Sequence, residues 1–186
     1  MEREDLLYLY KKFLRSVEFC NIVCEKLGQE QFDKSELPMK FTLDILTTAG
    51  HAIGADGVVS PAELEKLNAV MCHLGRELSQ EDGDGIAKLV QEKPYEVPVT
   101  LVMMVLCTHF RILYTEDPAE EVLSEEIPEM EKMLELFAEM TTSMVDQLGE
   151  AEKQAITNCL TICSEYIEET LGFPFKLTER TQELIG

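Results

Sequence analysis

The chain is short of positive charge. Its 186 residues carry 16 Lys and Arg against 36 Asp and Glu, a formal net charge of −20. A surface of that sign repels phosphate backbones and anionic headgroups, so nucleic acid is not an expected partner. Cations, or a basic surface on another protein, are. A long apolar run is also missing. The longest, VPVTLVMMVLC from Val97 to Cys107, is about half of what a bilayer requires. It reads as a buried helix, and no membrane insertion is expected. The first residues, MEREDLLYLYKK, have neither the basic start nor the apolar middle of a secretory signal, which points to the cytoplasm. Alternation of period two is absent as well. VPVTLV is strand-like but has no partner, so the expected class is all-α, in a single compact domain.

Catalytic patterns are equally scarce. The chain has three histidines, no nucleophile-elbow motif, no Gly-rich phosphate loop behind a strand and no metalloprotease His-Glu pair, so an enzyme is not expected. The six cysteines lie inside helical patterns of a chain with a sizeable core, and buried thiols are expected of them. Cys20 and Cys24 share one helical face, as do Cys159 and Cys163; neighbouring terminal helices would let four thiolates meet around zinc.

What is present is helical periodicity. Leu6, Tyr10, Phe13, Val17, Cys20, Cys24 and Leu27 form one stripe, stopped by Gly28. A second helix starts at Pro38 and turns Phe41, Ile45, Leu46, Ala49 and Ile53 inward. A third starts at Pro61 with Leu64, Leu67, Met71, Leu74 and Leu78, and a short fourth spans Ser79–Glu92, capped by Ser79 and Asp82. The apolar fifth, Val97 to about Tyr114, is expected at the centre. Further helices are expected over Pro128–Gln147 and Glu150–Leu171, the last closed by Gly172, with Phe173 and Phe175 packing a tail onto the body. That gives about seven helices. Laying Pro38 on Pro98 without gaps matches Leu46 with Leu106 and Thr48 with Thr108, a candidate internal duplication. A rival register lays Pro38 on Pro128.

GADGVVSPAELEKL, Gly54 to Leu67, is the most informative stretch. Placing Gly57 at the sixth position of an EF-hand puts Glu63 at the twelfth, but Ala52 and Gly54 then fall where oxygen ligands belong. Ser60, Pro61 and Glu63 instead spell a capping box, which has no use for Asp56.

The same residues carry a family resemblance. Ala55, Asp56, Gly57, Val59, Ser60 and Glu63 resemble the signature of the TerB-like domain of the tellurite-resistance family, and the likeness runs over about Leu37 to Met140. It implies a TerB-like core over 37–148, with an N-terminal helix and loop over 1–36 and a C-terminal helix and tail over 149–186. It further implies an all-helical, cytoplasmic, stress-associated module of two related halves that holds a divalent cation between acidic loops. By position, Asp56 and Glu63 are the ligands of the first half. The second half has YTEDPAEEVLSEE in place of an Ala-Asp-Gly turn, which leaves Glu116 and Asp117, with Glu125 behind them, as its metal candidates. The alternative is a ligand-free helical interaction protein that docks a basic partner.

Overall fold

The computed structural model describes residues 3–72 and 75–186, and side chains from residue 11 onward except 12, 13, 16, 73 and 74. The stripe positions Leu6, Tyr10, Phe13 and Leu74, and His73, therefore lie outside the described side chains. Among the described residues there are eight α-helices and one short 3-10 turn, and no strand: α1 (Arg3–Leu27), the 3-10 turn Lys34–Glu36, α2 (Leu37–Ile53), α3 (Pro61–Met71), α4 (Gln80–Glu92), α5 (Val99–Tyr114), α6 (Ala119–Met144), α7 (Glu150–Leu171) and α8 (Glu179–Ile185). The all-α single domain is as expected.

Local chemistry sets the ends. Gly28 and Gly172 both sit at φ 63° in the left-handed region. At the end of α1, Gln29 donates its N–H to the Cys24 carbonyl at 2.8 Å and Gly28 to that of Glu25 at 3.2 Å, closing carbonyls the helix leaves open. Ser60 and Ser79 begin α3 and α4 with complete capping boxes.

Helices α2, α5, α6 and α7 pack on one another. Helix α1 covers α5, α3 and α4 cover α2, and α8 lies against α6 and α7. Phe137, Met104, Met130, Met133, Leu101 and Ile156 are fully buried where these helices meet. Each contributes roughly 1.5–3 kcal/mol relative to an exposed position. Thr48 and Thr108, equivalent in the Pro38–Pro98 register, each donate a hydroxyl to the carbonyl four residues back, at 2.9 and 3.0 Å. The turns that follow differ: the first has Gly57 at φ 87° and a capping box, while the second leads into α6 through Pro118 with no side-chain cap.

Four expectations need correction. Helix α3 ends at Met71, so Leu78 of its expected stripe lies beyond it. Helix α6 begins at Ala119, not Pro128, which lies inside it on the exposed side. The carbonyl that loses its donor there belongs to Ser124, an exposed residue, so the proline costs no buried hydrogen bond. Leu27, the last residue of α1, is 48% exposed rather than inward. Of the tail aromatics, Phe175 is buried and Phe173 is 40% exposed.

Candidate functional site

The loop between α2 and α3 is held by its own side chains. Gly57 takes a positive φ of 87°, which favours glycine; a Cβ there would also displace the exposed Gln91 amide, 2.7 Å away. Asp56 is exposed, and its Oδ1 accepts the Val58 N–H at 2.9 Å, a local Asx turn. Glu63 is buried. Its Oε2 accepts the Ser60 N–H at 2.9 Å and its Oε1 accepts the Asp146 N–H at 3.2 Å. Lys66, one turn on, donates to the Val145 carbonyl at 2.8 Å. The first turns of α3 thus pin the connection between α6 and α7, and both Glu63 oxygens are engaged by backbone donors.

The second acidic cluster forms around a cation. Arg111, near the end of α5, donates to Glu125 at 2.8 Å, Glu126 at 2.9 Å and Asp117 at 3.3 Å. Partial burial pulls its pKa down, but the bonds to Glu125, Asp117 and Glu126 outweigh that and raise it above the usual arginine value. Glu116 is exposed beside this corner. The structure therefore gathers Asp117 with Glu125 and Glu126 around a guanidinium, while Asp56 and Glu63 are engaged at the start of α3. Among the described residues no three His, Cys, Asp or Glu side chains are grouped so as to hold a metal ion.

Cysteine is where the sequence misled most. Cys20 and Cys107 form a disulfide, with Cα atoms 5.3 Å apart. Arg15 and Phe19 line the same cleft as Thr108 and Arg111, so α1 runs antiparallel to α5 and brings together cysteines 87 residues apart. Cys72 is exposed, and Cys24, Cys159 and Cys163 are buried thiols. Cys20 is thus committed to Cys107, and Cys163 lies 3.8 Å from the Tyr95 hydroxyl, which also shares a 2.9 Å hydrogen bond with Thr48. Burial pushes Cys159 and Cys163 up to about 12 and raises Tyr95 as well. Thiols so protonated at neutral pH are poor nucleophiles.

A groove of about 400 Å³ opens between α2, α3 and α4. Leu46, Leu67, Met71 and Ile86 are among the residues that line it, and Leu43 and Leu89 stand on its rim, 45% and 50% exposed. His51 lies in its wall, edge-on to Tyr95 with ring centroids 5.1 Å apart, and burial lowers its pKa. Thr47 and Glu96 are shared with a smaller cleft of about 130 Å³ that reaches Asp44, Thr48 and Tyr95. The sequence signal for the groove was weak. Its lining comes from the flanks of three helices whose stripes read simply as core.

Comparison of the chain with family models, curated proteins and solved structures gives no match. No helix among the described residues is long and apolar enough to cross a membrane.

Proposed function

We propose that this protein is a helical interaction module that docks a basic partner and performs no chemistry of its own. The observation that carries this is the placement of its charge. Residues 115–171, which contain α6 and α7, hold sixteen Asp and Glu against two Lys, a net −14 of the chain's −20. Glu116, Glu120, Glu121 and Glu125 are exposed at the α5–α6 corner. A face of one sign steers an oppositely charged protein toward it and speeds encounter. The divalent-cation module implied by the TerB-like resemblance makes a different demand. Glu63 already accepts two backbone N–H groups and Asp117 already accepts from Arg111, so an ion at either carboxylate would share its oxygens with donors in place.

Two measurements separate these readings. Calorimetry with calcium, magnesium, manganese and zinc is expected to show only weak heats that moderate salt abolishes. Saturable binding weakened by Asp56→Asn would overturn the proposal in favour of a cation site. A fluorescent lysine-rich peptide is expected to bind at low salt, with an affinity that falls both with added salt and in the combined variant Glu116→Gln, Glu120→Gln, Glu121→Gln. No binding at low salt, or binding indifferent to that variant, would count against the acidic corner as a docking face.

A further inference from the structure

We infer that the groove between α2, α3 and α4 receives an apolar helix face of a protein partner, with a cationic side chain of that helix seated over Glu96. The inference rests on the reading above that the partner is basic. It adds where the partner's apolar residues go.

The groove has the features of a recognition site rather than a packing defect. Its volume, about 400 Å³, lies within the range of about 300–1,000 Å³ typical of ligand sites. Its rim exposes large apolar side chains on two helices: Leu43 on α2 at 45% and Leu89 on α4 at 50%. In a chain with 36 acidic side chains, polar residues were available for these positions. A trough between helices, lined by Leu, Met and Ile, is the shape that accepts the apolar stripe of an amphipathic helix.

Charge complementarity selects the sign of the occupant. At one end, the groove merges with the smaller cleft through Thr47 and Glu96. The buried Asp44 carboxylate in that cleft is fully engaged by α5, so the exposed Glu96 is the carboxylate available to an incoming group. Lys93 lies in the same lining, three residues from Glu96 in the extended connection between α4 and α5. Against a net charge of −20, an anionic amphiphile would gain Lys93 alone while meeting repulsion from the rest of the surface. A cationic helix gains both Glu96 and the general field.

Gly50 provides a clean test. It lines the groove from the last turn of α2, and a Cβ there would touch only Ile86 Cγ2, at 3.5 Å, an ordinary contact. Gly50→Met fills the groove, and the exchange raises helix propensity, so the fold is expected to be kept. The probe is a labelled amphipathic peptide of about 18 residues, five helical turns, with Leu on one face and Lys on the other. A second peptide carries Glu in place of Lys.

By fluorescence anisotropy the Lys peptide should bind the wild type saturably. Gly50→Met should weaken it about tenfold or more, as expected for loss of an anchor pocket. Glu96→Lys should weaken it and Lys93→Glu should tighten it. Equal affinity for Gly50→Met, confirmed as folded by circular dichroism, would overturn the inference. So would tighter binding of the Glu peptide, or the opposite order at positions 93 and 96. Binding that ignores Gly50→Met but drops in the Glu116, Glu120 and Glu121 variant would remove the groove and leave the acidic docking face standing. If neither peptide binds at low salt, both readings fall together.

Discussion

The carboxylate of Asp44 holds Thr100 twice, through its backbone N–H and its hydroxyl, each at 2.7 Å. Its other oxygen accepts the Val99 N–H at 3.1 Å. Helix α5 starts at Pro98, which has no capping side chain, so the cap is supplied from the middle of α2. A negative group at a helix N-terminus also meets the positive end of the helix dipole. The central helix is thereby registered against its neighbour by one buried side chain.

Removing that cap should be expensive. Asp44→Ala leaves two helix N–H groups and a buried hydroxyl without their acceptor, and a loss of about 2–3 kcal/mol is expected. Asp44→Asn keeps one acceptor oxygen and should cost less. Urea midpoints for the two variants check the order.

Glu63 should behave as a structural residue. Ser60→Ala removes half of one capping box and should cost about 0.5–2 kcal/mol. Glu63→Ala also releases the Asp146 N–H, so its loss should exceed that of Ser60→Ala. Both losses should be the same with and without EDTA. A wild-type protein that EDTA alone destabilises would show that an ion is held.

The disulfide gives a count and an energy. Denatured without reductant, the chain should titrate four thiols of its six cysteines. Reduction, or Cys107→Ala, should cost about 2–4 kcal/mol, since the link constrains a long loop of the unfolded chain. Six thiols without reductant would mean the link is not formed in the purified protein. Such links belong to oxidising compartments as a rule, so the same titration bears on the cytoplasmic location expected from the N-terminus.

His51 should make stability depend on pH. Burial holds its pKa below 6.5 in the folded state. Between 6.5 and that lower value the unfolded chain binds a proton that the folded chain does not. Stability therefore falls as pH drops through this window, and the contribution is fully present above 6.5. His51→Phe keeps a ring against Tyr95 and removes the titration. The loss of stability between pH 7.5 and 5.5 should be smaller in this variant, as read by thermal denaturation at the two pH values.

Much of the fold was legible because its signals are local. A helix stripe repeats within a few residues, a serine with a carboxylate three positions on makes its own cap, and glycine ends a helix by its own backbone freedom. These gave the all-α class, the boundaries at Gly28, Ser60, Ser79 and Gly172, and the capping role of Glu63. The missed start of α6 is of the same local kind, since Pro128 reads as a helix opening and is tolerated inside only because its turn faces solvent.

What the sequence left open depends on which helices become neighbours. Asp44 is one polar residue on an apolar helix, and its purpose appears only when α5 packs beside it without a cap of its own. Cys20 seemed to belong with Cys24, four residues away, yet it meets Cys107 because α1 lies antiparallel on α5. Arg111 collects three carboxylates from beyond its own helix, Asp117 among them. The groove is made from the edges of α2, α3 and α4, and no single stripe encodes it. Periodicity and caps are interactions over one or two turns and can be read along the chain. Pairing between residues tens of positions apart is set by how whole helix faces pack, and only the tertiary structure decides that.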